Sequence, residues 1–191
     1  MSTKVRTPRG RVSYPCVFEA RAIEDGQEAK FSCSLIFPAG TDFSAMTAAV
    51  TAAAVARWGK VPPNAKLPWL KGEDQMRDDG SRIDGYEDGS IFIRTTSKSR
   101  PGVIGRQKDA AGKWMTLDSE DDFYAGCYAH AVVNAFAWET KTGKGISFGL
   151  LSIQKLVDGE PFGMKSDPEA DFADVDEETD AELVGEGDLL G

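Results

Sequence analysis

The sequence has no apolar run that approaches the roughly 20 residues needed for a membrane-spanning helix. Its first eleven residues are basic, but no hydrophobic stretch follows them, so they do not predict a secretory signal. We therefore expect no membrane partner, and we expect the protein to stay in the compartment where it is made.

Cysteine and histidine are scarce. The three cysteines, Cys16, Cys33 and Cys127, form no C-x-x-C pair, which predicts buried free thiols in a reducing compartment. Cys127 and His130 have the C-x-x-H spacing of half a zinc site. The other half is missing unless Cys16 and Cys33 converge on it, so we predict no metal.

Signals for catalysis are also few. His130 is the only histidine, so a nucleophile–histidine arrangement would have to be centred on it. Residues 105–113 are not a phosphate-binding loop, because six residues rather than four separate the two glycines. Asp121 and Asp122 are adjacent, which directs their side chains apart. We therefore predict no enzyme and no cofactor.

The last 25 residues contain no Lys, Arg or His but hold eleven acidic side chains. The whole chain has 31 acidic and 22 basic residues. Without this segment, 20 acidic and 22 basic residues remain, so the net charge of the body is about +2. The composition predicts a weakly basic globule joined to a disordered acidic tail over 166–191.

Such a tail can mimic nucleic acid against its own body, recruit a partner protein, or only raise solubility. It ends in two leucines and a glycine, which place a small apolar tip on an acidic string. The tail residues that we predict to bind a partner or to inhibit the body are Asp174, Asp176, Glu177, Glu178, Asp180, Glu182, Asp188, Leu189 and Leu190.

The body is typical of a small β-barrel. Residues 11–18 and 30–37 are rich in strand-forming residues, and further strands are predicted at 90–98, 113–115, 126–138 and 145–150. One Ala-rich helix is predicted over about 42–58, capped by Thr41 or Asp42 and ended by Gly59. Residues 60–89, with many Pro, Asp and Gly, predict a loop. Many short strands and one helix favour a closed or partly open barrel.

Two strands have faces of different character. In 126–138 the small side chains alternate with Tyr128, His130, Phe136 and Trp138, which share the opposite face. In 90–98 one face carries Phe92, Arg94, Thr96 and Lys98. Each strand thus shows rings beside polar or cationic groups.

Rings on a sheet can stack nucleic-acid bases without reading sequence, and neighbouring cations neutralise phosphates. The alternative is that the rings belong to the core and the polar groups only border the sheet. The predicted DNA-binding residues are Phe92, Arg94, Lys98, Arg100, Arg106, Tyr128, His130, Phe136, Trp138 and Lys155.

Five segments resemble the phage-encoded single-stranded DNA-binding proteins, which are distantly related to the replication protein of T7-type phages. They are SYPCVFE (13–19), KFSCSLIFP (30–38), YAGCY (124–128), GISFGL (145–150) and IQKLVDGEP (153–161). They occur in the family's order over most of the body, and the last is the most distinctive.

The resemblance implies a mainly β protein with an OB-fold five-stranded barrel over 11–165 and one inserted helix. The composition adds a flexible basic arm over 1–10 before the barrel and the acidic tail after it. It implies a protein that coats single-stranded DNA in phage replication or recombination, in the cytoplasm of the bacterial host. Partners of the tail would be a polymerase, helicase or recombinase. The alternative function is a protein–protein adaptor of a replication complex whose DNA contact is incidental.

Overall fold

The computed structural model describes residues 2–22 and 26–163. The predicted acidic tail, with all of its candidate residues, lies outside this part of the chain. The strands are β1 (Lys4–Arg6), β2 (Gly10–Arg21), β3 (Lys30–Phe37), β4 (Leu70–Lys71), β5 (Ile91–Ser97), β6 (Gly102–Lys108), β7 (Trp114–Thr116), β8 (Tyr128–Thr140) and β9 (Gly143–Val157); the described residues contain one α-helix, α1 (Ser44–Trp58), and a 3₁₀ turn (Gly72–Asp74).

Five strands close into a ring in the order β2, β3, β5, β9 and β8, with β8 pairing back to β2. All neighbours are antiparallel except β5 and β9, which are parallel. This is the small barrel of OB type, and the prediction of a mainly β fold with one inserted helix is confirmed. The second half of β9 continues beyond the ring and pairs with β6.

The barrel interior is filled by one side of each strand. Leu35, Phe37, Ile93 and Phe148 are each at most 1% exposed there. The alanine side of β8 also points inward, which lets the strand lie close to the core and to α1.

The helix begins at Ser44, two residues later than predicted. Asp42 accepts hydrogen bonds from the backbone nitrogen and the hydroxyl of Ser44, which holds the chain at the start of the first turn. The helix ends at Trp58 and is capped by Gly59, whose positive φ of 74° suits a residue without a Cβ. None of the described helices is long and apolar enough to cross a membrane.

Two regions differ from the sequence prediction. Within the arm predicted over 1–10, Lys4–Arg6 form β1 and pair with β8. The strand predicted at 145–150 runs from Gly143 to Val157, because its partner β8 is long enough to pair with it along its whole length.

Candidate nucleic-acid interface

The outward side of the β8–β9 hairpin is the main candidate surface, and we call it the hairpin face. On β8 the burial alternates from Tyr128 to Phe136, so the side with most of the alanines points into the core while the side with the rings points outward, as predicted. The hairpin face consists of Tyr128, His130, Val132, Asn134, Phe136 and Trp138 on β8 and of Gly145, Ser147, Gly149, Ser152 and Gln154 on β9.

Small residues make the floor of this face beside its rings. Thr96 of β5 pairs with Gly149 of β9, which pairs in turn with Asn134 of β8. A Cβ at Gly149 would lie 3.9 Å from the ring of Phe136, so that ring lies beside the glycine. The row is therefore shallow enough for a flat ligand to approach the backbone.

Phe136 and Trp138 are held differently. Phe136 is 41% exposed, so a large part of its ring is open to solvent. The indole nitrogen of Trp138 donates a 3.0 Å hydrogen bond to the hydroxyl oxygen of Ser147. A Cβ at Gly145 would lie 2.7 Å from the Trp138 ring, so only glycine leaves the indole its place.

Arg94 extends the hairpin face across β5. It is exposed, its guanidinium donates a hydrogen bond to the side-chain oxygen of Gln75 (3.0 Å), and its Cζ lies 5.5 Å from the centre of the Phe92 ring. Phe92 itself is 2% exposed and lies under Tyr86, at 4.9 Å between ring centres. The prediction of an exposed stacking ring is therefore wrong for Phe92, which supports Arg94 from below.

Lys98 and Arg100 follow β5 at its exposed end, and each is paired with an acid. The ammonium of Lys98 lies 2.9 Å from Glu28 and holds the pKa of that carboxyl below its usual value. Arg100 lies 3.2 Å from Asp118. Both pairs are exposed, so they contribute little to stability.

Tyr128 lies on the same face of β8 as Phe136 but eight residues away, about 26 Å along the strand. The guanidiniums of Arg9 and Arg11 lie 5.1 and 5.8 Å from the centre of its ring. His130 lies between, and its Nδ1 is buried without a hydrogen-bond partner in the part of the chain that the structure describes.

Arg106 and Lys155 lie apart from this face, in a surface pocket beside Leu117. Arg106 is exposed. Lys155 is already engaged, because its ammonium donates to the carbonyl of Asp122 and bridges to Asp158, with 2.6 Å to each oxygen.

The structure thus brings Arg94, Phe136 and Trp138 together at one end of the hairpin face and leaves Tyr128 and His130 at its other end. The prediction overlooked the basic residues of β1 and the start of β2. In 4–6 the charged residues Lys4 and Arg6 alternate with Val5, which is typical of a strand, but three residues are too few to identify one.

No site for a metal is evident on this surface. Within residues 2–22 and 26–163 there is no group of three His, Cys, Asp or Glu side chains arranged to hold an ion. Cys33 and Cys127 are buried and unpaired, and burial raises the pKa of both thiols.

Comparison with known proteins identifies the fold and the family. The structure is similar to the single-stranded DNA-binding protein of bacteriophage Enc34 in complex with single-stranded DNA, with 25% identity, a TM-score of 0.66, and 84% of this chain and 90% of that chain covered. The same phage protein with a C-terminal truncation gives 23% identity and a TM-score of 0.64, with 84% and 89% covered.

A single-stranded DNA-binding protein encoded by bacteriophage T7 shares the fold, with 16% identity, a TM-score of 0.51, and 94% and 98% covered. Among curated protein sequences none matches significantly. The family model of the Enterobacter phage Enc34 ssDNA-binding protein matches residues 3–183. Because that match spans most of the sequence, the chain belongs to the family of the ssDNA-binding protein of Enterobacter phage Enc34.

Proposed function

We propose that this protein binds single-stranded DNA without reading its sequence and acts without catalysis in phage DNA replication or recombination. The observation that carries the proposal is the family match over residues 3–183. It is supported by the similarity to a relative in complex with single-stranded DNA, and by a face that combines the exposed ring of Phe136 and the partly buried ring of Trp138 with cations.

In this proposal Phe136 and Trp138 stack bases while Arg94 and Lys98 contact phosphates. Arg94 lies on β5, the third strand of the ring, and Lys98 follows it beside the β2–β3 loop. Phe136 and Trp138 lie on β8 towards the β8–β9 loop. OB folds bind oligonucleotides on this strand face and between these two loops. Ser147 fixes the indole, and the small residues beside the rings let a base lie flat. Stacking on rings is sequence-tolerant because every base has a π-face.

The other predicted residues have weaker support. Arg100 is exposed at the border of the face and can exchange Asp118 for a phosphate. Arg106 and Lys155 lie beside the β6–β7 hairpin, and a strand would reach them only after leaving the hairpin face. We therefore place Arg94, Phe136 and Trp138 at the centre of the site.

The test is fluorescence anisotropy with labelled oligo-dT at low and high salt, comparing Phe136→Ala with Trp114→Ala. Both rings are exposed, at 41% and 45%, but Trp114 lies on the separate hairpin. Loss of one stacked base should weaken binding by about 1–3 kcal/mol, roughly 5- to 150-fold, for Phe136→Ala only.

The phosphate role has its own pair of variants. Arg94→Ala should lower the salt dependence of binding by about 0.7 in the log–log slope, whereas Lys113→Ala at the tip of the β6–β7 hairpin should leave it unchanged. Binding that is absent in the wild type, or insensitive to salt, would contradict the proposed function. Capture of a replication protein without any DNA binding would favour the adaptor alternative.

We propose further that the acidic segment competes with DNA for the cationic surface, recruits a polymerase, helicase or recombinase, or does both, in the cytoplasm of the bacterial host. Deletion of residues 167–191 removes eleven negative charges. If the segment competes, the deletion should tighten DNA binding, most at low salt where charges are least screened. Unchanged affinity would leave recruitment or solubility as its role.

A further inference from the structure

Four basic residues of the N-terminal segment lie along the side of β8 that faces away from β9. Lys4 pairs with Asn134, Arg6 with Val132 and Arg11 with Tyr128 in antiparallel register. Because residues opposite each other in such a pair share a face, these three side chains point to the same side as Phe136. The members of this group, which we call the N-terminal rail, are Lys4, Arg6, Arg9 and Arg11.

The rail ends at an aromatic ring that carries two cations. Arg9 and Arg11 both lie over Tyr128, and Arg11 also lies 4.2 Å from the centre of the Phe162 ring. Arg11 donates hydrogen bonds to the carbonyl oxygens of Gly126 (3.2 Å) and Glu160 (2.7 Å), so it is anchored. Arg9 is exposed and makes no such bond to the described residues.

The charge of the rail is not neutralised by the folded body. Lys98, Arg100 and Lys155 each face a carboxylate at 2.6 to 3.2 Å. Over residues 2–22 and 26–163, by contrast, none of the four rail residues makes an ion pair with an acidic side chain. Like charges aligned along one strand repel each other, and a polyanion laid along them relieves that repulsion.

We infer that the N-terminal rail is a second segment of the DNA site, which holds the phosphates of a strand that continues from Phe136 along β8 to Tyr128. This inference rests on the proposed function. The path is about 26 Å long, too long for a ligand that only covers the rings at the Phe136 end. Asn134, Val132 and His130 line it, so no acidic side chain of β8 lies on the path between the two rings.

The chain itself contains a second polyanion, the acidic segment 167–191. DNA and the acidic segment, as alternative occupants of the rail, predict different changes in DNA affinity when the charges of the rail are removed. If DNA occupies the rail, removing its charges weakens DNA binding. If the acidic segment occupies it, the same change releases no DNA contact and leaves DNA binding equal or tighter.

The test uses the full chain with the triple change Lys4→Ala, Arg6→Ala and Arg9→Ala. Arg11 is kept because its hydrogen bonds are structural. A control carries the same loss of charge away from the N-terminal rail, as Lys60→Ala, Lys108→Ala and Lys113→Ala, three lysines that make no ion pair within the described residues. All six side chains are exposed, so both variants should fold, which circular dichroism and thermal melting check.

Binding is measured over a range of salt with oligo-dT of about 4 and about 16 nucleotides, the limits of site size for one OB fold. For the long oligonucleotide the rail variant should lose about 2 in the log–log salt slope, since each phosphate contact contributes about 0.7. For the short one both variants should match the wild type.

An unchanged slope with the long oligonucleotide would overturn the inference, and tighter binding would assign the rail to the acidic segment instead. Equal loss at both lengths would show that the rail is not a separate segment. Failure of the proposed function is distinct from all of these, because the wild type itself would then bind neither oligonucleotide.

Discussion

The indole nitrogen of Trp138 and the hydroxyl oxygen of Ser147 are joined by a hydrogen bond of 3.0 Å that crosses the β8–β9 hairpin diagonally. In the strand register Trp138 is opposite Gly145, and Ser147 is opposite Phe136. One hydroxyl thus fixes the angle of a large ring directly beside a second ring. A preorganised pair of rings loses less conformational entropy when a base stacks on it.

Ser147→Ala should lower the free energy of unfolding by about 1 kcal/mol, because the partly buried indole nitrogen loses its partner. Ser152→Ala is the matched control on the same face of β9, since its hydroxyl makes no hydrogen bond to the described residues. Urea denaturation measures both. An equal effect at the two serines would show that the Trp138 bond contributes nothing to stability.

Phe92→Ala should reduce the free energy of unfolding by about 3 kcal/mol or more, since the ring is buried between Tyr86 and the sheet. Phe136→Ala removes a ring that is 41% exposed, so its effect on stability should be clearly smaller. Chemical denaturation of the two variants, set beside their affinities for oligo-dT, separates a supporting ring from a stacking ring. A large loss of stability for Phe136→Ala would show that it belongs to the core.

The hairpin face could be predicted because four of the five inward residues between Ala129 and Ala137 are alanines whereas the rings are all on the other side, and only the small side of such a strand fits closely against a core. The side of β5 that carries Phe92 and Arg94 was also predicted correctly. The burial of Phe92 could not be predicted, because the residue that covers it is Tyr86. Tyr86 lies in a loop without periodicity, and its hydroxyl donates a hydrogen bond to Ser13 of the sheet.

The N-terminal rail could not be predicted for a related reason. β1 has three residues, and its pairing with β8 spans about 130 positions of sequence. A short basic segment has no intrinsic preference for a strand, so tertiary contacts hold it there. Val5 packs against the core, β1 pairs with β8, and Thr3 and Thr7 on either side of β1 make hydrogen bonds to β8. The sequence shows that this segment is basic, but it does not show to which face of the sheet the basic side chains point.

Below about pH 4 the free energy of unfolding should increase less steeply with pH in Asp158→Asn than in the wild type. Hydrogen bonds from Lys155 and Tyr124 hold the pKa of the Asp158 carboxyl below its usual value in the folded protein. The unfolded state therefore binds this proton first as pH falls. The contribution is complete above the ordinary pKa and disappears as pH falls through the folded one.

The measurement is the free energy of unfolding in urea at several values between about pH 5 and pH 2. Asp121→Asn is the control, because its carboxylate makes no hydrogen bond or ion pair within the described residues. A slope that stays the same in Asp158→Asn would mean that the contacts of this carboxylate are not maintained in solution.

Gly126→Ala should lower the free energy of unfolding by about 3 kcal/mol or more. Gly126 has a φ of +111°, and a Cβ there would overlap the carbonyl oxygen of Glu160, which also accepts a hydrogen bond from Arg11. Both the backbone strain and the displaced carbonyl destabilise the fold. The change would also disturb the anchor of the N-terminal rail.

Gly112→Ala separates the two effects. Its φ of +77° is also positive, but a Cβ there has nothing within 4 Å, so only the backbone strain of about 1–2 kcal/mol applies. Thermal and urea denaturation compare the two alanine variants. Equal losses of unfolding free energy in the two variants would show that the contact with Glu160 does not contribute to stability. A larger loss for Gly126→Ala, together with weaker binding of long oligo-dT, would connect this glycine to the end of the rail at Tyr128.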